Sequence, residues 1–428
     1  MRNYRWVVMF FCCVVCFVAY IDRVNMSVAA TSIMKDFALS ATQMGIIMGA
    51  MMPTYLVVSF LSGFIMDRFS PVKTVSAGIF IWSLTTAWFP LTTSFGQMYA
   101  SRLIFGAGEG LFPVFGGRMV GSWMPPKERG VGTSIQTASA LLGVAFGAPI
   151  CVSIMKAYDW QTLFYTLAVL GFVAMAIVYL MVKDRPSQQK RVSTEERKLI
   201  EDAIEEERVQ KGNLGGVTVT REDIIQLLKN PYLWLVALSY VAVAAIWFAN
   251  LTWLPGYMAK EKGFTVFKSG MLSAFPFFMG AVGAVSAGYI TDKFLKGHRL
   301  SYILFAQLLG PVLVFFAIGA TGTASMIILF SVSMFFTAGA FSMHWAVPVG
   351  LFSNKVVGTA TGIMNGCGTI AGMFAPMLMG RVYDTTHSFY WGFGALAIVT
   401  FLGAIFAVVP LMLHEKKLLG VSKADLTV

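Results

Sequence analysis

Charged side chains are scarce in this sequence. Lys, Arg, Asp and Glu supply 12% of its 428 residues, about half of the ~25% carried by soluble globular chains. That deficit excludes a soluble domain. No nucleophile constellation, metal-ligand cluster or phosphate-binding loop is present, which argues against an enzyme; neither a cofactor nor a metal is expected. Cysteine is sparse too. Cys13 and Cys16 spell C-x-x-C, but on an apolar stretch without basic neighbours, where thiols behave as small buried hydrophobes.

What is abundant is apolar sequence. Hydrophobic residues reach 57%, and the apolar runs are long enough to cross a bilayer as helices. Twelve are read, at about 6–29, 42–66, 72–94, 97–121, 130–155, 159–182, 231–256, 267–291, 300–320, 323–349, 356–381 and 389–412. A membrane barrel would show short alternating segments instead. The expected fold is an all-α membrane protein with twelve transmembrane helices in two six-helix halves.

The net charge of +11 would suit nucleic acid, but its distribution excludes that partner. With the N-terminus inside, the inner segments hold 23 of the 32 Lys and Arg, the outer loops 6, and the spans 3. This positive-inside asymmetry places both termini in the cytoplasm, in a multi-pass protein of the inner (plasma) membrane. Arg2 and Arg5 before an apolar stretch imitate a signal peptide. Asp22 and Arg23 would break such a core, and the first helix runs on past them.

The one long polar segment, residues 183–230, carries ten basic and ten acidic residues. Ser193-Thr194-Glu195-Glu196 predicts a capping box opening a helix, with Leu199, Ile200, Ala203 and Ile204 on one side, and Thr220-Arg221-Glu222-Asp223 starts a second. Both are expected to lie on the cytoplasmic membrane face, linked by a flexible Gly212–Gly216 stretch. The chain thus divides into a six-helix half (1–182), the linker (183–230), a second half (231–412) and a cytoplasmic tail (413–428).

The halves echo each other. GFIMDRFSPVK begins at Gly63 and GYITDKFLKGHR at Gly288, so Asp67 and Asp292 are 225 residues apart. Gly132-Thr133 leads to Ala148-Pro149 as Gly358-Thr359 leads to Ala375-Pro376, with the prolines 227 apart. Such agreement signals a duplicated unit. Two six-helix halves with G-x-x-x-D-[RK] in both cytoplasmic loops resemble the major facilitator superfamily across essentially the whole chain. In Gly63, Asp67 and Arg68, and again in Gly288, Asp292 and Lys293, the glycine allows close helix approach. The aspartate can then meet a helix N-terminus or an arginine, latching one conformation.

Five charges lie within the spans: Asp22, Arg23, Arg102, Glu109 and Arg118. Each costs about 2.5–3.5 kcal/mol even on the lenient insertion scale, which marks it as functional by default. Asp22 and Arg23 are adjacent, about 100° apart on a helix, and pair poorly with each other. Arg102 and Glu109 are seven apart on one face of the fourth span, and Arg118, near its cytoplasmic end, suits interfacial snorkelling. Gly106-Ala107-Gly108-Glu109-Gly110 looks like a phosphate loop but, inside a span, is expected to thin the helix for packing.

A closer resemblance is to the anion:cation symporter family and its bacterial sugar-acid (galactonate-type) proton symporters. It rests on Tyr20–Asn25 (Y-I-D-R-V-N), Arg102–Glu109 (R-x-x-x-G-x-x-E) and Ser122–Arg129 (S-W-x-P-x-x-E-R). Thr252–Gly263 and Gly362–Asn365 complete the set. The resemblance implies that the first and fourth helices line a central cavity, where Arg23 can pair with Glu109. It also implies that Asp22 and Glu109 carry protons, and that Tyr20, Arg23, Tyr55, Trp345 and Asn365 face a sugar acid. Arg102 belongs to the same balanced charge set: two acids against two bases, so that proton uptake leaves a guanidinium free to attract an anion. The chain departs from the family at Ala140, where a cavity glutamine is replaced by Gln136 one turn earlier, and at His344, which replaces a threonine. His344 is either a substrate contact or a satisfied helix–helix contact.

The function expected is proton-coupled uptake of a small organic anion by alternating access, in a carrier that works as a monomer. The alternative is a drug or metabolite exporter, for which Gly143–Pro149 (GVAFGAP) is a loose match to the antiporter motif of the fifth helix.

Overall fold

The computed structural model describes residues 3–212, 219–295, 298–353 and 355–415. Among these there is no strand. The expected glycine linker lies largely, and the tail beyond residue 415 entirely, outside them.

The chain forms two units, Met1–Leu39 with Ile46–Gly216, and Ser40–Gly45 with Val217–Val428. The first contains α1 (Tyr4–Asp36), the second part of α2 (Ala41–Gly49), α3 (Met51–Arg68), α4 (Pro71–Trp88), α5 (Phe95–Glu109), α6 (Phe112–Trp123), α7 (Arg129–Ala157), α8 (Trp160–Met181) and α9 (Thr194–Gly212). The second contains the start of α2 together with α10 (Arg221–Lys229), α11 (Pro231–Lys260), α12 (Val266–Phe294), α13 (Arg299–Gly319), α14 (Thr323–His344), α15 (Val347–Leu351), α16 (Val357–Thr386) and α17 (Phe389–Gly403). A π-helical turn, Ala404–Val408, continues α17.

Eleven helices among the described residues are long and apolar enough to cross a membrane, counting α2 with α3 as one. The place of the fourth expected span is taken by α5 and α6. The interruption has a readable cause: Pro113 has no N–H to donate to the carbonyl of Glu109, so the first segment ends at Glu109. Large apolar side chains point outward along the spans, including Phe60 at 77% exposure and Phe406 at 63%. In water such faces would aggregate; against acyl chains they are solvated.

Polar residues at the turns start the helices. Ser70, Ser94, Asp159 and Thr265 each accept from the backbone N–H three residues on. Within the first unit α1 packs along α7 and α8, and α3 along α5; within the second, α11 packs along α16, and α14 between α12 and α13. The glycine run of α5 thins that helix as expected. A Cβ on Gly106 would lie 2.0 Å from the Met51 carbonyl oxygen, and one on Gly108 2.7 Å from the Gly78 oxygen.

One of the two capping boxes expected in the linker needs revision. Thr220 and Asp223 do form a reciprocal capping box. Ser193 caps too, accepting from Glu196 N at 3.3 Å, but the Glu196 carboxylate does not fold back on it. It accepts instead from Tyr4 N at 2.8 Å, Arg5 N at 3.2 Å and Arg5 Nη1 at 2.9 Å. Glu196 therefore caps α1, supplying negative charge where four backbone N–H groups lack partners. Arg129 adds a second clamp on α9 through Glu207, at 2.6 Å. In the other unit Lys355 pairs with Asp223 at the start of α10.

Candidate functional site

The first unit brings together most of the charged candidates. Arg23, on α1, donates to Glu109, on α5, with Nε 3.0 Å and Nη2 2.9 Å from the same carboxylate oxygen. Its guanidinium carbon lies 4.7 Å from the Tyr20 ring centroid and 5.1 Å from that of Tyr55, on α3. Two aromatic faces and one carboxylate hold this cation while leaving its side chain 15% exposed. Glu109 sits where α5 breaks, so the geometry that ends the helix also presents its carboxylate.

Asp22 and Arg102 lie deeper, at 1% and 2% exposure. Asn25 Nδ2 donates to Asp22 Oδ1 at 3.4 Å, and Asp22 Oδ2 has no hydrogen-bond partner among the described residues. Arg102 stacks on Phe105 at 4.1 Å and points Nη2 at Met51 Sδ, 3.6 Å away, with Nε unpartnered. Glu109 Oε1 is unpartnered as well. Asp22, Arg102, Glu109 and Arg23 are close enough to couple electrostatically. Buried charges normally carry full sets of partners. Among the described residues this cluster leaves three atoms open: Asp22 Oδ2, Arg102 Nε and Glu109 Oε1.

Gln136, on α7, is half-buried and bonds back to the Gly116 carbonyl at 3.5 Å.

The second unit carries the remaining candidates. Trp345 follows the last residue of α14 and is 45% exposed; Asn365, on α16, is half-buried. An aromatic wall adjoins them: Tyr240 lies 6.3 Å from Trp345 and 5.0 Å from Phe341, which stacks on Trp247 at 5.6 Å. His344 is only 1% exposed. Its ring nitrogens meet Ser239 Oγ at 2.9 Å and the Ala340 carbonyl at 2.7 Å. The helix–helix contact is the one its geometry fills.

The loop residues behave differently from the expectation in one respect. Neither glycine of the repeated motif permits a tight approach here: a Cβ on Gly63 would meet nothing within 4 Å, and one on Gly288 only the Met343 methyl at 3.9 Å. The room at Gly63 serves its carbonyl, which accepts from Arg118 Nη2 at 3.0 Å. The same guanidinium pairs with Asp67 and donates to the Met66 carbonyl. Arg118 is thus the partner of the loop aspartate, which its snorkelling position did not disclose. Lys293 Nζ lies 2.7 Å from the Tyr289 hydroxyl. Arg68 and Asp292 are exposed at the ends of their helices.

The family model described as Major Facilitator Superfamily matches residues 12–376. The chain is 28% identical over 404 residues to the hexuronate transporter of Bacillus subtilis, covering 92% of each protein. It is 27% identical over 417 residues to the D-galactonate transporter of Escherichia coli, covering 94% of this chain and 93% of the other. Among solved structures, the D-xylose–proton symporter superimposes with a TM-score of 0.70 at 17% identity, over 95% of this chain and 97% of that one. At that identity the likeness is one of fold.

Proposed function

The chain belongs to the Major Facilitator Superfamily, and from that premise we propose that it takes up a small organic anion, a sugar acid, together with protons by alternating access. It is a multi-pass membrane transporter and not an enzyme. The substrate class is supported by the relatives that carry hexuronate and D-galactonate, and the coupling by the site itself.

One observation carries the reading: the guanidinium of Arg23, held between Tyr20, Tyr55 and Glu109. A planar fork of donors matches the two oxygens of a carboxylate. The anion would compete with Glu109 for that fork, and a proton arriving on Glu109 would release it. Asp22, with its open oxygen beside Arg102, is the second proton carrier, so that the empty site remains electrically balanced. On the first unit Tyr20, Tyr55 and Gln136 would contact the polyol, with Arg102 steering the charge; on the second, Trp345 and Asn365 are the proposed contacts. Gly63, Asp67 and Arg68, with Gly288, Asp292 and Lys293, would latch one state of the cycle. Both termini and the linker face the cytoplasm of the inner membrane, as the basic asymmetry favours.

Uptake of labelled D-glucuronate, D-galactonate and D-glucarate into proteoliposomes, with and without an imposed pH gradient, tests the proposal. Accumulation of at least one anion above equilibrium, with the gradient and not without it, is the expected result. Efflux driven by the same gradient would replace it with the exporter alternative.

A further inference from the structure

His344 ends α14, and the direction of every hydrogen bond around it can be assigned. Nδ1 faces the Ala340 carbonyl, which only accepts, so the ring hydrogen sits on Nδ1. Nε2 then accepts the hydroxyl hydrogen of Ser239 at 2.9 Å. Ser239 Oγ accepts in turn from Gln307 Nε2 at 3.1 Å, and the second amide hydrogen goes to the Ser239 carbonyl at 3.0 Å. One directed chain joins α11, α13 and α14. All three side chains are at most 1% exposed, and the imidazole has no nitrogen left to offer a ligand.

The chain lies behind the aromatic wall. Trp345 is the first residue past the helix that His344 pins, so fixing the imidazole fixes where the indole begins. Tyr240, next to Ser239, sets its ring 5.5 Å from the His344 ring and 6.3 Å from that of Trp345. It is seated on α16 at Gly368, where an added Cβ would come 2.3 Å from Tyr240 Cε1. Gly368 is less than one turn past Asn365. A shift of α14 would therefore be felt at Trp345 and Asn365, the two residues of this unit assigned to the anion.

We propose that Ser239, Gln307 and His344 are positioning residues, whose hydrogen-bond chain orients Trp345 and thereby sets which organic anion the site accepts. His344 acts from behind the wall and does not touch the anion. The selectivity half of this inference rests on the transport reading above; the orientation of Trp345 is open to test without any substrate.

Ser239→Ala and His344→Leu each break the chain, Gln307→Met breaks it at its far end, and His344→Gln keeps an amide oxygen where Nε2 accepts. The first readout is acrylamide quenching of Trp345 in detergent, isolated as the difference between each protein and its Trp345→Phe counterpart. An indole freed from its packing partners gains solvent access, so the quenching constant should rise about twofold in the broken variants and stay near wild type in His344→Gln. Unchanged quenching in every folded broken variant overturns the proposal whatever the protein carries. The second readout is uptake of the three sugar acids named above. In Ser239→Ala the KM of the preferred anion should rise about tenfold, about 1.4 kcal/mol, with little change in Vmax per folded carrier. A fall in Vmax at constant KM means the chain only holds the fold, and overturns it. Equal damage in His344→Gln and His344→Leu means the imidazole itself meets substrate, which overturns it as well. If wild-type protein takes up none of the three anions, the substrate class fails, and the quenching result alone decides the positioning role.

Discussion

Arg23 approaches Glu109 with two nitrogens against a single oxygen, Oε2, leaving Oε1 of the same carboxylate unpartnered. The pair is therefore complete for the cation's charge and incomplete for the anion's hydrogen-bonding capacity. A structural ion pair buried this far usually satisfies both sides.

Replacing Arg23 separates charge from shape. Arg23→Lys keeps the positive charge and loses the planar fork, so affinity for the transported anion should fall by about tenfold or more, about 1.4 kcal/mol. Arg23→Ala also strands Glu109 without its partner, a loss of about 3–5 kcal/mol for a broken buried pair, and should lower thermal stability as well. Binding in detergent and a thermal melt measure the two effects. Normal binding by Arg23→Ala would remove this residue from the site.

Asp22→Asn and Glu109→Gln imitate the protonated acids. Both should retain substrate binding and lose gradient-driven accumulation, because the empty carrier then resets with an uncompensated guanidinium at bilayer depth. Counterflow of substrate for substrate avoids that step and should survive in at least one variant. Full accumulation by both would show that the protons travel by another route.

Two helical glycines should respond differently to alanine. At Gly106 the new Cβ would sit 2.0 Å from the backbone oxygen of Met51, whereas at Gly63 it would meet nothing within 4 Å. Gly106→Ala should force α3 from α5 at about 1–3 kcal/mol, the usual cost of overpacking. Gly63→Ala should leave the melting temperature where it is. Equal stability of the two variants would contradict the close contact of α3 with α5.

The docking of α10 should depend on pH at its acid end. The Lys355 ammonium, then the Thr220 hydroxyl and backbone N–H, hold the Asp223 carboxyl down at about 2. A depressed carboxyl contributes fully above its unfolded value, about 3.9, and its contribution is lost as pH falls through the folded one. Amide exchange in Arg221–Lys229, relative to its intrinsic rate, should accelerate between about pH 4 and pH 2, and Lys355→Met should shrink that step. An unchanged profile in Lys355→Met would show that Thr220 alone holds the carboxylate.

The membrane fold was readable from the long apolar runs, and the central pair from the resemblance that places the first and fourth helices together. A charge at bilayer depth must find a partner, so a short roster of charges left few pairings to consider, and Arg23 with Glu109 was among them. The break in the fourth span is not dictated by the sequence, although Pro113 stands four residues after Glu109, because proline is tolerated in membrane helices. Arg118 could be read only without its partner, because Asp67 lies on α3, 51 residues earlier in the chain. His344 stayed ambiguous because both alternatives need the same residue type. Only Ser239, 105 positions away in sequence, and Gln307 decide where its nitrogens go.

Glu196 caps the N-terminus of α1 from 192 residues downstream. During synthesis, Tyr4 and Arg5 leave the ribosome long before the carboxylate that will cap them exists. At about 5–20 residues per second the interval is roughly 10–40 s, during which all six spans of the first half must be made. The N-terminal end of α1 is thus finished last among the elements of its own unit. Arrival of α9 closes that unit, and a chain that ends before residue 196 leaves the first backbone N–H groups of α1 without their carboxylate.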